Sequence, residues 1–225
     1  MRANDVLPSR LDRARFKILD LIGARTGGRT AIIAYAGSAH IVVPPSSDVA
    51  VLKPLLESLD PAVMPVPGTS AAAALPLALD LLGEEAGRGS ILFVNDGFAS
   101  SDLAPLTEFA GRADSPGLTA LVVGTDEGGV ALMPDGSPVT GRDGGRLDTR
   151  IDSALLRQLS ASASLTVARM RTDDGDLRTL LRAIASHLSQ AEDPDAQWLE
   201  QGWWLLWPAA FLMLYWFRRG WTMQW

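Results

Sequence analysis

Short, mostly apolar runs that alternate with amphipathic segments are the feature that most constrains the fold of this chain. The apolar runs occupy residues 30–36, 91–95, 118–123 and 165–168. Helical spacing of apolar residues, or a capping residue, predicts helices over 10–22, 47–59, 70–82, 103–111, 151–159 and 177–188. Strands that are apolar on both faces are typical of parallel sheets covered by helices on both sides. The alternation therefore predicts an α/β fold with a doubly wound, mostly parallel sheet.

Two hairpins are predicted within this pattern. Residues 40–44 form a strand directly after a turn at Gly37 and Ser38, so residues 30–44 are expected to add an antiparallel edge to the sheet. Residues 131–139 contain Pro-Asp-Gly at 134–136, which is a turn signal typical of a hairpin or flap.

The composition excludes several classes of function. The formal net charge is −6 at pH 7 and the basic residues are scattered, so a nucleic-acid-binding surface is not expected. The chain contains no cysteine, which excludes disulfides, thiolate metal sites and thiol nucleophiles. Its 225 residues suffice for one ordinary domain with an appendage.

The appendage is at the carboxyl end. Residues 201–217 contain no charge, and as a helix they would span roughly 25 Å, which is the short limit for crossing a bilayer. The residues expected to anchor it are Trp203, Trp204, Trp207, Trp216, Arg218 and Arg219. An interfacial or docking helix is the alternative. The predicted parts are an α/β domain (1–189), an acidic linker (190–200), a transmembrane helix (201–217) and a short tail (218–225).

Oxygen-bearing side chains follow strands at the carboxyl edge of the predicted sheet, where open α/β folds have their binding sites. Thr69 lies within residues 66–70, Val-Pro-Gly-Thr-Ser, and Asp96 directly follows the strand at 91–95. A hydroxyl and a carboxylate at one sheet edge suit a hard cation, above all Mg²⁺. From the residues alone, a helix cap is the favoured role of Thr69, and Asp96 equally suits a cap. The residues that neighbour this candidate site are Gly68, Ser70, Asn95 and Gly97.

Five motifs, taken in order, carry a resemblance to a known family. They are residues 10–15 (Arg-Leu-Asp-Arg-Ala-Arg), 34–39 (Ala-Tyr-Ala-Gly-Ser-Ala), 66–70, 95–97 (Asn-Asp-Gly) and 217–221 (Phe-Arg-Arg-Gly-Trp). The chain resembles the von Willebrand factor type A (VWA) domain, and more narrowly the membrane-anchored bacterial Bat, or aerotolerance, proteins. The resemblance implies a metal-ion-dependent adhesion site, in which Thr69 and Asp96 match two ligand positions and a partner's carboxylate completes the Mg²⁺ shell.

The chain departs from the family pattern at its beginning. The family carries an Asp-x-Ser-x-Ser loop after its first strand, just before a residue like Met1, so we expect this chain to lack that loop, the first strand and the preceding membrane helices. Two oxygens are too few for tight Mg²⁺ binding, and weak or no affinity is expected. Asp5 lies close to the missing loop, and a solvated terminus is its expected environment.

The charge pattern also predicts an orientation in the membrane. Arg218 and Arg219 place the carboxyl end in the cytoplasm by the positive-inside rule, so the domain is expected on the outer side of the bacterial inner membrane. A tail-anchored protein with a cytoplasmic domain is the alternative.

The expected function is a non-enzymatic, membrane-anchored protein-interaction module. The resemblance implies a partner with an acidic residue, and association with other VWA membrane proteins and MoxR-type ATPases in envelope stress or aerotolerance. The alternative is a metal-independent scaffold that assembles with sister Bat-like proteins. A metal-assisted hydrolase would need a general base and more ligands around Asp96, which the sequence does not offer.

Overall fold

The computed structural model describes residues 1, 3–25, 28–132, 137–139, 147, 149–171, 173–191, 207–208 and 212–213. The chain forms two compact units, Met1–Ala191 and Glu192–Trp225. Most of the predicted transmembrane helix, and the turn at 134–136, lie outside the described residues. Within the described part, no helix has both the length and the apolar character needed to span a membrane.

The first unit has the predicted alternation of helices and strands. The helices are α1 (Arg10–Ala24), α2 (Val49–Ser58), α3 (Leu75–Leu82), α4 (Leu103–Ala110), α5 (Ser153–Ser162) and α6 (Gly175–Ala191). The strands are β1 (Thr30–Tyr35), β2 (Ala39–Ser46), β3 (Ser90–Asn95), β4 (Gly117–Val122) and β5 (Thr166–Arg169). The predicted α/β class with a parallel sheet is therefore confirmed.

The strands form two sheets rather than one. β3, β4 and β5 form a parallel sheet with β4 at its centre, and β1 and β2 form the predicted antiparallel hairpin. Among the described residues, no strand joins β1 to β3 by backbone hydrogen bonds. The sequence predicts a single sheet, whereas the structure has two, and the division lies between β1 and β3.

Helices cover both faces of the strands. On one face, α1 contributes Ala14 and Leu21 to the core over β4, and it contributes Ile22 to a cluster with Val43 and Leu52. A larger core covers the opposite face; its members include Leu75, Phe93, Leu106 and Leu159. Because α1 packs against residues of both sheets, it holds them together on its side.

The helix expected over residues 70–82 begins later than predicted. A 3-10 turn occupies Ala72–Ala74, and α3 begins only at Leu75. Pro76 explains the shift, because proline lacks an N–H and is accommodated in the first turn of an α-helix but not in its interior. Residues 66–71 are therefore left as a loop at the carboxyl end of β1.

Candidate functional site

Two glycines fix the loop at residues 66–70 against the end of β1. Gly37 donates its N–H to the carbonyl of Val66 at 2.9 Å, and Ser70 donates to the carbonyl of Ala36 at 2.8 Å. Gly68 has φ +156°, and a Cβ there would lie 2.9 Å from the Cα of Gly37. Only glycine permits this close approach, so the loop holds Thr69 at the carboxyl end of β1.

Asp102 connects this loop to the loop that follows β3. Its side chain is 1% exposed. One carboxylate oxygen accepts the N–H of Ala72 at 3.2 Å, and the other accepts the N–H of Ala99 at 3.0 Å. A buried carboxylate that accepts backbone N–H groups from two loops restrains both of them.

Tyr35 and Asn95 connect the ends of β1 and β3 directly. The Asn95 side-chain amide donates to the Tyr35 hydroxyl at 2.9 Å, and the rings of Tyr35 and Phe93 meet edge to face at 6.2 Å. Burial raises the pKa of Tyr35, so its phenol stays neutral. The Oδ1 atom of Asn95 is buried without a hydrogen-bond partner among the described residues. These contacts place the carboxyl ends of β1 and β3 at the same edge.

Asp96 is paired with positive charge at this edge. Its carboxylate contacts the amino group of Met1 and lies 3.5 Å from Nη1 of Arg10. The Asp96 side chain is 27% exposed, whereas that of Arg10 is fully buried. Asp96 is therefore the partly exposed end of a charged network that extends into the protein.

The centre of that network is an ion pair between Arg10 and Asp5. The guanidinium Nε and Nη2 atoms donate to the two carboxylate oxygens at 2.6 and 2.7 Å, and Nη2 also donates to the carbonyl of Thr149 at 2.8 Å. Thr125 donates its backbone N–H and its hydroxyl to Asp5, both at 2.8 Å. Burial by itself would raise the pKa of Asp5, but the hydrogen bonds from Arg10 and Thr125 outweigh it and hold the pKa well below its usual range.

The expectation that Asp5 belongs to a solvated terminus is wrong. Its side chain is only 5% exposed, because the charge of Arg10 and the two donors of Thr125 compensate for its burial. The sequence does not predict this pair: residues 10–15 contribute to the family resemblance, but nothing in that motif assigns Asp5 to Arg10 as a partner. The sequence carries no capping-box signal for Asp102 either, because Ala99 has no side-chain acceptor; only the bond from the Ala99 N–H to the Asp102 carboxylate is formed.

The capping roles considered for Thr69 and Asp96 are wrong. Thr69 is exposed and makes no side-chain hydrogen bond to the described residues, and α3 has no side-chain cap. The backbone N–H group that a cap would satisfy, that of Ala72, is bonded to Asp102 instead. Asp96 contacts cations rather than the start of a helix. The candidate ligand roles of both residues stay predictions.

The described residues do not fit a resident Mg²⁺ ion. Mg²⁺ requires close to six oxygens in octahedral geometry. Within the part of the chain that the structure describes, no group of three or more His, Cys, Asp or Glu residues could hold a metal. The Asp96 carboxylate is already paired with Arg10. The arrangement offers one paired carboxylate and one exposed hydroxyl.

Residues 1–98 match the family model of the von Willebrand factor type A domain. The conserved hypothetical protein BatB from Bacteroides thetaiotaomicron is 23% identical, with a TM-score of 0.75 over 84% of this chain and 93% of that chain. An aerotolerance-related membrane protein from Bacteroides fragilis NCTC 9343, bearing multiple mutations to serines, is 24% identical. Its TM-score is 0.74, over 83% of this chain and 93% of that chain. No curated protein matches the chain.

These matches confirm the resemblance stated from the sequence. The fold is VWA-like, with a parallel sheet, and it is shared with those two bacterial structures. Most of that likeness is carried by the first unit, which contains all the strands described here.

Proposed function

We propose that this chain, whose first 98 residues match a VWA domain, is a non-enzymatic protein-interaction module that binds its partner at the carboxyl edge of the strands. The contact surface consists of the loops at 66–70 and 96–102. The observation that carries the proposal is that the buried carboxylate of Asp102 restrains both loops by accepting the N–H groups of Ala72 and Ala99. Thr69, in contrast, is exposed, and its side chain makes no hydrogen bond to the described residues. Rigid support beneath an exposed polar group is typical of a pre-organised binding surface.

We further propose that this chain binds without Mg²⁺. A metal bridge to a partner's carboxylate would require Asp96 as a free anion, whereas here it is paired with Arg10. Exposed apolar side chains next to Thr69, such as Val66 at 47% exposure, offer contact area that does not depend on a metal. Candidate partners are the other VWA membrane proteins and the MoxR-type ATPases implied by the resemblance.

Site-specific photo-crosslinking tests both proposals. Thr69 is replaced by p-benzoylphenylalanine in the full chain, and cells or membranes are irradiated in Mg²⁺ or in excess chelator. We expect one dominant protein adduct, with yields in the two conditions that agree within about twofold. The matched control carries the same label at Asp114, which is exposed and precedes the amino end of β4; we expect no adduct there.

The outcomes separate the alternatives. Loss of the Thr69 adduct in chelator would contradict metal-independent binding and support a Mg²⁺ adhesion site with an acidic partner. Equal adducts from Thr69 and Asp114, or none from either, would contradict a binding surface at the carboxyl edge.

We propose that residues 201–217 anchor the module in the bacterial inner membrane, with the domain outside and the carboxyl end in the cytoplasm. Support comes from the uncharged run, from Arg218 and Arg219 after it, and from the similar Bacteroides fragilis protein, which is named a membrane protein. Protease added to intact spheroplasts is expected to digest residues 1–189. A protected domain would instead support the tail-anchored, cytoplasmic arrangement.

A further inference from the structure

The exposed apolar side chains of the first unit are concentrated on β2, on α2 and in the loop that follows α2. The large apolar residues exposed there are Ile41, Val49, Val51, Leu55, Val63 and Val66. Residues 41–66 contain only one basic and three acidic residues. A concentration of exposed apolar side chains with few charges is typical of an interaction surface.

α2 has one buried side and one exposed side. The buried side, which packs against α1 and β2, carries Leu52 and Leu56 at 1% and 2% exposure. Successive residues of an α-helix are rotated by about 100°, so Pro54 lies directly opposite these two leucines. Pro54 is exposed, and it is therefore the outermost point of the helix.

The two flanks of the exposed side differ in chemistry. On one flank of Pro54, Val51 and Leu55 lie one turn apart and are 45% and 38% exposed. On the other flank, Lys53 and Glu57 lie one turn apart and are both exposed. Although they carry opposite charges, Lys53 and Glu57 pair neither with each other nor with another described residue. The outer side of α2 thus has one apolar flank and one flank with two unused charges.

This arrangement is complementary to itself in an antiparallel pair of helices. When a two-fold axis relates two such helices, each flank faces the same flank of the other helix, with the residues in reverse order. With the axis beside Pro54, Lys53 faces Glu57 of the other copy, and Glu57 faces its Lys53. On the other flank, Val51 faces Leu55 of the other copy. The pair therefore satisfies both charges and covers both apolar residues.

A parallel pair of the same helices lacks this complementarity. When the two-fold axis runs along the helices, the charged flank of one copy faces the apolar flank of the other. Lys53 and Glu57 would then lose water without gaining a partner, and that loss is unfavourable. The charge pattern of α2 therefore favours the antiparallel arrangement.

We propose that the outer side of α2 binds α2 of a second copy of this chain, antiparallel about a two-fold axis beside Pro54. The surface shares no residue with the loops at 66–70 and 96–102, so the proposal goes beyond the function proposed above. α2 has ten residues, and its outer side covers less than the roughly 800 Å² per partner of a standard interface. We therefore expect a weak dimer, which would present two copies of the partner-binding loops.

Disulfide cross-linking tests the proposal, because the chain contains no cysteine of its own. The full chain in membranes carries the single substitution Pro54→Cys and is oxidised with copper phenanthroline. We expect a disulfide-linked dimer, because position 54 meets its own copy at the axis. Adding Lys53→Glu should lower the yield about fivefold, since four carboxylates then face one another, and adding Glu57→Lys as well should restore it. The matched control is Asp114→Cys, which is exposed and should give no dimer.

Each other outcome would overturn the proposal. Equal dimer yields from Pro54→Cys and Asp114→Cys, or no dimer from Pro54→Cys, would exclude pairing through α2. A yield that Lys53→Glu leaves unchanged, or that Glu57→Lys does not restore, would exclude the antiparallel arrangement. A disulfide between position 54 and a different protein, without a dimer of this chain, would assign the outer side of α2 to that protein.

Discussion

Replacing Arg10 by leucine is expected to lower the free energy of unfolding of the first unit by about 3–5 kcal/mol, because it leaves the buried carboxylate of Asp5 without its counter-ion. The Arg10 and Asp5 side chains are 0% and 5% exposed, so water cannot replace the lost charge. Chemical denaturation followed by circular dichroism measures the change.

The matched control for this variant is Arg169→Leu. Arg169 pairs with Asp126 at 2.8 Å, but the two side chains are 44% and 62% exposed. An exposed pair contributes about 1 kcal/mol or less, so this variant should be close to wild type. In the double variant Arg10→Leu/Asp5→Leu no buried charge is left alone, and we expect a large part of the lost stability to return. Equal effects of Arg10→Leu and Arg169→Leu would contradict the buried ion pair.

The dependence on pH gives a second readout of the same pair. The pKa of Asp5 is lowered in the folded protein, so its contribution to stability is complete above the ordinary value of 3.8 and is lost as the pH falls below that value. Without Arg10 the pKa of Asp5 should rise, because burial then dominates. The stability difference between wild type and Arg10→Leu should therefore be largest near neutral pH, begin to shrink as the pH falls through the raised pKa of Asp5 in the variant, and shrink further below pH 3.8. A difference independent of pH would show that lost packing is the cause.

Asp102→Ala is expected to loosen both loops of the candidate site and to destabilise the first unit by about 1–3 kcal/mol. The substitution leaves the N–H groups of Ala72 and Ala99 without the acceptor that each has now. Hydrogen exchange should accelerate at both amides. Asp102→Asn, which keeps one carbonyl acceptor, should have an intermediate effect.

The control for this variant is Asp48→Ala at the start of α2. Asp48 accepts the N–H of Ala50 at 2.8 Å in an exposed cap, and its loss should cost about 1 kcal/mol without changing exchange at Ala72 or Ala99. If Asp102→Ala destabilises the protein while exchange at these two amides stays as in wild type, Asp102 does not restrain the loops. A fall in the yield of the Thr69 photo-adduct in Asp102→Ala would connect this restraint to partner binding.

The helices and strands that agree best with the sequence-based prediction are those that depend on residues close together in the sequence. β4 is predicted by its mostly apolar run and is buried from Leu118 to Val122. α1 begins after Ser9, whose hydroxyl accepts the N–H of Asp12 at 3.1 Å. Pro76 is a local signal for the late start of α3, whereas the apolar periodicity over residues 70–82 favours an earlier start.

The sequence by itself determined the order of helices and strands, the VWA resemblance, and the loops that carry Thr69 and Asp96. These follow from periodicity, turns and motifs, which act over a few residues along the chain. Only the tertiary structure decided that the strands form two sheets and that Asp96 is paired with Arg10. It also decided that Asp102 rather than Thr69 satisfies the N–H of Ala72. The reason is that a buried charge or backbone donor must be satisfied by whatever group the fold brings near. For Arg10 that group includes the carbonyl of Thr149, 139 positions away in the sequence.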